Sequence, residues 1–237
     1  MLRVLVTRPE PGASRTAHRL EETGFKPVLL PLTETKALPA AGLTLDDAVA
    51  VAVTSANAVR HAPEEIIATL AALPCHAVGK RTAQAARRAG FLSVSEGPGD
   101  AEALADRLAA DFSGKTIVYL CGRVRFPAFE QRLVTAGVRV HAVETYDTLT
   151  MGYPDEVILE RLSGQPADAV LLYSAKAAAA MQILARRPAL RGLFEKTWVF
   201  ALSTRIAAAF DGVASERIRI AAQPDEDALL ALLQGPR

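Results

Sequence analysis

The sequence is short of cysteine, of unbalanced charge and of long apolar runs, and each shortage removes a class of function. Its 27 Lys and Arg face 26 Asp and Glu, a net charge of +1 over 237 residues. So balanced a chain is not drawn to DNA, RNA or an anionic membrane by bulk attraction, although a local basic pocket stays open. No apolar run approaches the roughly 18 to 20 residues that span a bilayer. The apolar stretch after Met1 is too short for a secretory signal. The expectation is a cytoplasmic protein with neither nucleic acid nor membrane as partner. Cys75 and Cys121 lie far apart with no Cys-x-x-Cys pattern, which predicts two reduced, buried thiols. His18, His61, His76 and His141 show no metal-ligand spacing, so no metal site is expected, and they read as surface or boundary residues. No glycine-rich nucleotide cradle is present either.

What the chain does have is enough apolar residue, 50%, to build a core. Its length suits one large domain or two small ones. Strand-like runs fall at residues 4–7, 27–31, 49–54, 76–79, 92–95, 116–120, 138–143, 169–173, 198–202 and 217–222. Between most of them lie Ala/Leu/Arg-rich segments with helical spacing, such as 101–111, where Leu104 and Leu108 share a face. Strands alternating with helices predict an α/β fold of parallel sheets with helices on both faces. So many strands divide naturally into two sheets.

An internal match supports that division. Thr54-Ser55-Ala56 parallels Tyr173-Ser174-Ala175, Gly79 parallels Ser203, and Asp100-Ala101-Glu102-Ala103-Leu104 parallels Asp225-Glu226-Asp227-Ala228-Leu229. Each block then needs two further strands. The second takes them from the N-terminus and the first from the runs at 116–120 and 138–143. The predicted organisation is a discontinuous first lobe, 1–35 with 149–237, and a second lobe, 39–144. Extended Thr-rich segments at 34–39 and 144–150 join them as two adjacent linker strands. Two lobes on two thin connections would frame a cleft of variable width.

Ligands of open parallel sheets bind outside the carboxyl ends of the strands. The predicted ends here are Thr7-Arg8, Thr54-Ser55-Ala56-Asn57, Gly79-Lys80-Arg81-Thr82, Gly122-Arg123-Val124-Arg125, Tyr173-Ser174-Ala175-Lys176 and Ser203-Thr204-Arg205. Nearly every turn joins a hydroxyl residue or glycine to a nearby cation. A helix N-cap by itself explains any one such turn. Taken together, with each cation opposing a helix dipole at a cost of about 0.3–1 kcal/mol, these turns point instead to a ligand with several separated carboxylates.

These residues resemble a family. Val6-Thr7-Arg8-Pro9, Val-Thr-Ser-Ala-Asn-Ala-Val (53–59), Val-Gly-Lys-Arg-Thr-Ala (78–83), Cys-Gly-Arg-Val-Arg (121–125), Glu-Thr-Tyr-Asp-Thr (144–148), Leu-Tyr-Ser (172–174) and Ala-Gln-Pro (222–224) look like the ordered motifs of the uroporphyrinogen-III synthases. The resemblance runs the length of the chain and rests on order and spacing rather than on one motif. It implies two α/β lobes and a lyase that cyclises hydroxymethylbilane with loss of water and inversion of ring D, in heme biosynthesis. It also implies no cofactor, no metal, a monomer, and a possible transient hand-over of substrate from the upstream bilane-forming enzyme. Carried over by position, Tyr146 becomes the general-acid candidate. Arg8, Thr54, Ser55, Asn57, Gly79, Lys80, Thr82, Gly122, Arg123, Arg125, Ser174, Ser203 and Thr204 become substrate-binding candidates. Ile206 stands where the family often has threonine, so Ser203 or Thr204 would have to supply that contact. The rival expectation is a non-catalytic two-lobed binding protein for a small polyanion.

Overall fold

A computed structural model describes residues 1–39, 47–125, 127–211 and 215–235. The strands are β1 (Arg3–Val6), β2 (Lys26–Leu29), β3 (Thr33–Ala37), β4 (Ala48–Val53), β5 (Cys75–Ala77), β6 (Val94–Glu96), β7 (Thr116–Gly122), β8 (Arg139–Thr150), β9 (Ala169–Leu172), β10 (Trp198–Ala201) and β11 (Ile218–Ile220). The helices are α1 (Gly12–Glu22), α2 (Ala56–Arg60), α3 (Glu64–Leu70), α4 (Lys80–Ala89), α5 (Ala101–Phe112), α6 (Pro127–Thr135), α7 (Asp155–Arg161), α8 (Ala175–Ala185), α9 (Arg191–Phe194), α10 (Thr204–Ala207) and α11 (Glu226–Ala231). Contacts divide the chain into two compact units, Met1–Glu34 with Leu149–Arg237, and Thr35–Thr148.

The first unit is built on a sheet of order β11-β10-β9-β1-β2, its pairings parallel. Alternation along each strand sorts its side chains into two cores. Leu5, Val170, Leu172, Val199 and Ala201 face one set of helices, and Val4, Val6, Ala169, Leu171 and Phe200 face the other. Both faces are covered, which is why these strands read as unbroken apolar runs rather than as alternating ones. Each fully buried Val, Leu or Phe contributes about 1.5–3 kcal/mol.

The second unit has a sheet of order β3-β8-β7-β4-β5-β6. The same sorting holds. Val51, Val53, Val118 and Leu120 enter one core, and Ala50, Ala52, Ile117, Tyr119 and Cys121 the other. Cys75 and Cys121 are free thiols within these cores. The β3–β8 pair is antiparallel, since Leu38 N bonds Thr145 O while Met151 N bonds Leu32 O.

Several strand ends shift by a residue or two from the expected runs, and the largest departure is at β8. The run at 138–143 and the linker segment at 144–150 are a single twelve-residue strand, β8. The physical reason is local: from Arg139 to Thr150 there is no glycine or proline to end the strand, and β-branched Val and Thr recur throughout.

The internal match lands on equivalent places. Within the orders β2-β1-β9-β10-β11 and β8-β7-β4-β5-β6, Ser174 follows β9 as Ser55 follows β4, and Ser203 follows β10 as Gly79 follows β5. Asp100 and Asp225 both cap the helix after the last strand of the block, accepting from Ala103 N at 2.9 Å and Ala228 N at 2.8 Å.

Candidate functional site

At the carboxyl edge of the second unit, β4 ends at Val53 and the chain turns into α2 through Thr54 and Ser55. Ser55 is the N-cap of α2, its Oγ accepting from Asn57 N at 3.2 Å. The Tyr146 phenol donates to that same oxygen at 3.2 Å. The β7–β8 register, in which Gly122 lies opposite Tyr146, brings the ring to this edge. Gly122 is indispensable to the packing, because a Cβ there would sit 2.6 Å from Tyr146 Cζ. The His61 ring lies near the tyrosine, with centroids 6.0 Å apart. Burial, with help from Arg60, depresses the His61 pKa and favours its neutral form.

The turn is fastened from beneath. Thr54 Oγ1 and Tyr119 OH are 2.7 Å apart, and the tyrosine is fully buried on β7, which pushes its pKa up to about 12. Thr145, buried on β8, donates to the Ala58 carbonyl at 2.6 Å and so ties α2 to that strand. Asn57 accepts from Arg60 Nη1 at 3.4 Å.

The start of α4 is different. Its N-cap, Gly79, has no side chain to offer, and the first helical bond is Ala83 N to Gly79 O at 2.9 Å. The amides of Lys80, Arg81 and Thr82 find no acceptor among the described residues. A Cβ on Gly79 would lie 3.3 Å from the Gly99 Cα, so backbone meets backbone here. Thr82 is buried behind the turn while Lys80 is exposed and makes no ion pair among the described residues. The arrangement presents N–H groups at a positive helix end, a receptive place for a carboxylate.

The arginines depart from the sequence expectation of unpaired cations. Arg125 bonds Glu130 at 2.5 Å and Glu144 at 2.8 Å, and Arg123 pairs with Glu144 at 3.2 Å and Asp147 at 3.7 Å. The hydrogen bonds from Arg125 and Arg123 hold the Glu144 carboxyl below its ordinary range. In the first unit, Arg8 bonds Glu226 at 2.8 Å and stacks on Tyr173, 4.4 Å from the ring centroid. Glu226 also accepts from Thr16 and, at 3.1 Å, from Tyr173. Burial acts to raise the Glu226 pKa, but the Thr16 bond and the Arg8 charge outweigh it and the net shift is downward. The cost assigned to crowded cations on these turns is therefore already met by the protein's own carboxylates.

Ser174 caps α8, accepting from Ala177 N at 3.1 Å. Ser203 is the N-cap residue of α10 without a side-chain cap bond, and Thr204 beside it is exposed. Ile206, at the position equivalent to Thr82, is packed in the core of the first unit, where a methyl-rich side chain is satisfied and a hydroxyl would need a partner.

The structure thus gathers Thr54, Ser55, Asn57, Gly122 and Tyr146 around one turn, and sets Gly79, Lys80 and Thr82 at the adjacent one. Glu226, Tyr119, Thr145 and His61 escaped the sequence reading. Tyr119 and Thr145 look there like ordinary strand residues. The Glu226–Arg8 pair joins opposite ends of the chain, and only the topology brings them together.

Two mostly parallel sheets with helices on both faces define an α/β protein of the open-sheet class, in which helix starts and hydroxyl side chains gather at a carboxyl edge. The family model described as uroporphyrinogen-III synthase HemD matches residues 14–231. The chain belongs to the uroporphyrinogen-III synthase family, the cyclising lyases of heme biosynthesis. Among solved structures, uroporphyrinogen-III synthetase from Helicobacter pylori is similar at 17% identity and a TM-score of 0.63, over 99% of each chain. A mutant uroporphyrinogen III synthase from the extremely thermophilic bacterium Thermus thermophilus is similar at 17% identity and a TM-score of 0.53, over 99% of this chain and 98% of that one. At these identities the likeness is one of fold. No curated protein matches the sequence. Among the described residues no helix is long and apolar enough to cross a membrane.

Proposed function

We propose that this chain closes hydroxymethylbilane to uroporphyrinogen III at the carboxyl edges of its sheets, with Tyr146 as the proton source for the departing hydroxyl. Loss of that hydroxyl as water leaves an electrophilic azafulvene. Attack from the substituted position of ring D gives a spiro intermediate, which reopens and closes with the ring inverted. Unaided closure gives the other isomer, so the protein has to hold one conformation and stabilise cationic character.

The residues divide the work by chemistry. The open amides of Lys80, Arg81 and Thr82 suit a carboxylate, and Lys80 adds an uncompensated charge beside them. Ser174, Ser203 and Thr204 offer equivalent polar positions in the first unit, and Thr54 and Asn57 hold the turn that carries Ser55. Arg8, Arg123 and Arg125 take part by exchanging Glu226, Glu144 or Asp147 for an acid group of the substrate. The two units act as the lobes of the fold, 1–35 with 149–237 and 39–144, joined through 34–39 and 144–150. The protein works as a cytoplasmic monomer. Because free hydroxymethylbilane closes wrongly by itself, a transient hand-over from the bilane-forming enzyme favours the correct product.

The observation that carries the reading is the meeting of Tyr146 and Ser55 over Gly122, a polar donor set on a sheet edge that core packing alone does not require. The test supplies enzymatically generated hydroxymethylbilane and resolves the product isomers. Isomer III in excess, formed faster than the spontaneous reaction, is expected. Isomer I alone at the uncatalysed rate would overturn the reading.

A further inference from the structure

We infer that the group touching the departing hydroxyl is Ser55, and that the Tyr146 proton reaches it through that serine. This inference rests on the dehydrating cyclisation proposed above. It follows from counting hydrogen-bond capacity at one oxygen. A serine hydroxyl has two acceptor sites and one proton. Both acceptor sites of Ser55 are filled, by Asn57 N–H at 3.2 Å and by the Tyr146 phenol at 3.2 Å. The phenol is the donor of that second bond. The phenol proton is therefore committed to Ser55 and is not aimed at a ligand. The Ser55 proton has no acceptor among the described residues, and the side chain is part-exposed at the sheet edge. It is the one proton of the pair free to meet a ligand. A hydroxyl that accepts two bonds is also polarised into a better donor.

The surroundings fix this order. Gly122 leaves room for the ring and Thr145 ties α2 to β8, so Tyr146 and Ser55 ride on elements held together from below. Along the relay, the carbon–oxygen bond of the hydroxymethyl group breaks with its electron pair passing to oxygen. The Ser55 proton joins that oxygen, and water leaves. The Tyr146 proton moves to Ser55 in the same event. The phenolate is reprotonated by the hydrogen that the ring carbon loses when the closed macrocycle regains its aromatic pyrrole. One hydroxyl and one hydrogen leave the substrate, and the protein ends as it began.

The experiment compares isomer III formation by the wild type, Ser55→Gly, Ser55→Thr, Tyr146→Phe and the double variant Ser55→Gly/Tyr146→Phe. Glycine is nearly as good as serine at an N-cap, so the fold is spared while the hydroxyl is lost. A kcat loss of about 100-fold is expected for Ser55→Gly with KM little changed, and of about 10-fold for Tyr146→Phe. The double variant should be no slower than Ser55→Gly, because a relay broken at its first member has nothing left to lose. Ser55→Thr should recover most of the rate. In mixtures of light and heavy water the wild-type rate should curve as for two protons in flight, and Tyr146→Phe should give a straight line. Ser55→Gly within about threefold of the wild type, or a double variant slower than Ser55→Gly by the full Tyr146→Phe factor, would overturn the relay while leaving the proposed function intact. A wild-type protein that makes only isomer I strikes the function itself, and the relay with it.

Discussion

Gly122 and Tyr146 face each other across the β7–β8 ladder so closely that the ring occupies the space of a missing methyl group, 2.6 Å from where a Cβ would stand. The smallest side chain is thus a condition for the position of the phenol. Gly122→Ala is expected to push the ring away from Ser55 and lower turnover by about tenfold, with overpacking costing ~1–3 kcal/mol. Parallel kcat measurements and thermal melts check this. An alanine variant with wild-type turnover would show that the ring need not lie there.

The Arg8–Glu226 pair, with side chains 15% and 23% exposed, links the turn after β1 to the first turn of α11. Arg8→Ala is expected to cost ~2 kcal/mol, between the values for exposed and buried pairs, and urea unfolding reads it directly. The Glu226 carboxyl lies below its ordinary value near 4.5, so its contribution is present above that pH and lost as the pH falls through the folded value. Arg8→Ala should flatten this acid-side loss. An unchanged slope would mean that Thr16, Tyr173 and Arg19 set the carboxyl's acidity without Arg8.

His76 has Nδ1 3.0 Å from Ser95 Oγ, while its buried Nε2 has no partner among the described residues. Burial lowers its pKa below the ordinary 6.5, with Asp111 opposing and Arg107 assisting. The neutral ring is the folded form, so stability is full above about 6.5 and falls as the pH drops from there toward the folded pKa. His76→Gln should reduce the difference between urea midpoints at about pH 7 and pH 5.5, leaving the share that His61 contributes by the same sign. An equal difference in the variant would assign the whole effect elsewhere.

Cys75 and Cys121 are each 1% exposed, and burial pushes both thiols up to about 12. Neither should react with an aromatic disulfide reagent in the native protein, and both should react once urea unfolds it. Rapid labelling of either in the native state would place it at a surface.

The strands were legible because two-faced burial writes itself as apolar runs such as Ala48–Val53 and Thr116–Gly122. The turns were legible for a related reason: Ser55, Ser174, Asp100 and Asp225 are caps, and a cap is a local demand that shows in local sequence. The counter-ions were not. Arg125 meets Glu144 across two strands and Arg8 meets Glu226 from the far end of the chain, so no window of sequence contains both partners. The meeting of His61 with Tyr146 was hidden likewise, since it needs the β7–β8 register to be known first.

That register bears on how the gene can vary. The pairing steps by one residue there, Cys121 lying opposite Glu144 and Gly122 opposite Tyr146, so Thr145 is an extra residue that lets neighbouring side chains reach the Ala58 carbonyl and Ser55 together. Losing or gaining a single codon from Val143 to Tyr146 would remove or double that extra residue and carry Thr145 or Tyr146 off its partner. Related genes should accordingly differ in this stretch by replacement, and keep their changes of length for the connections that lie outside the ladder.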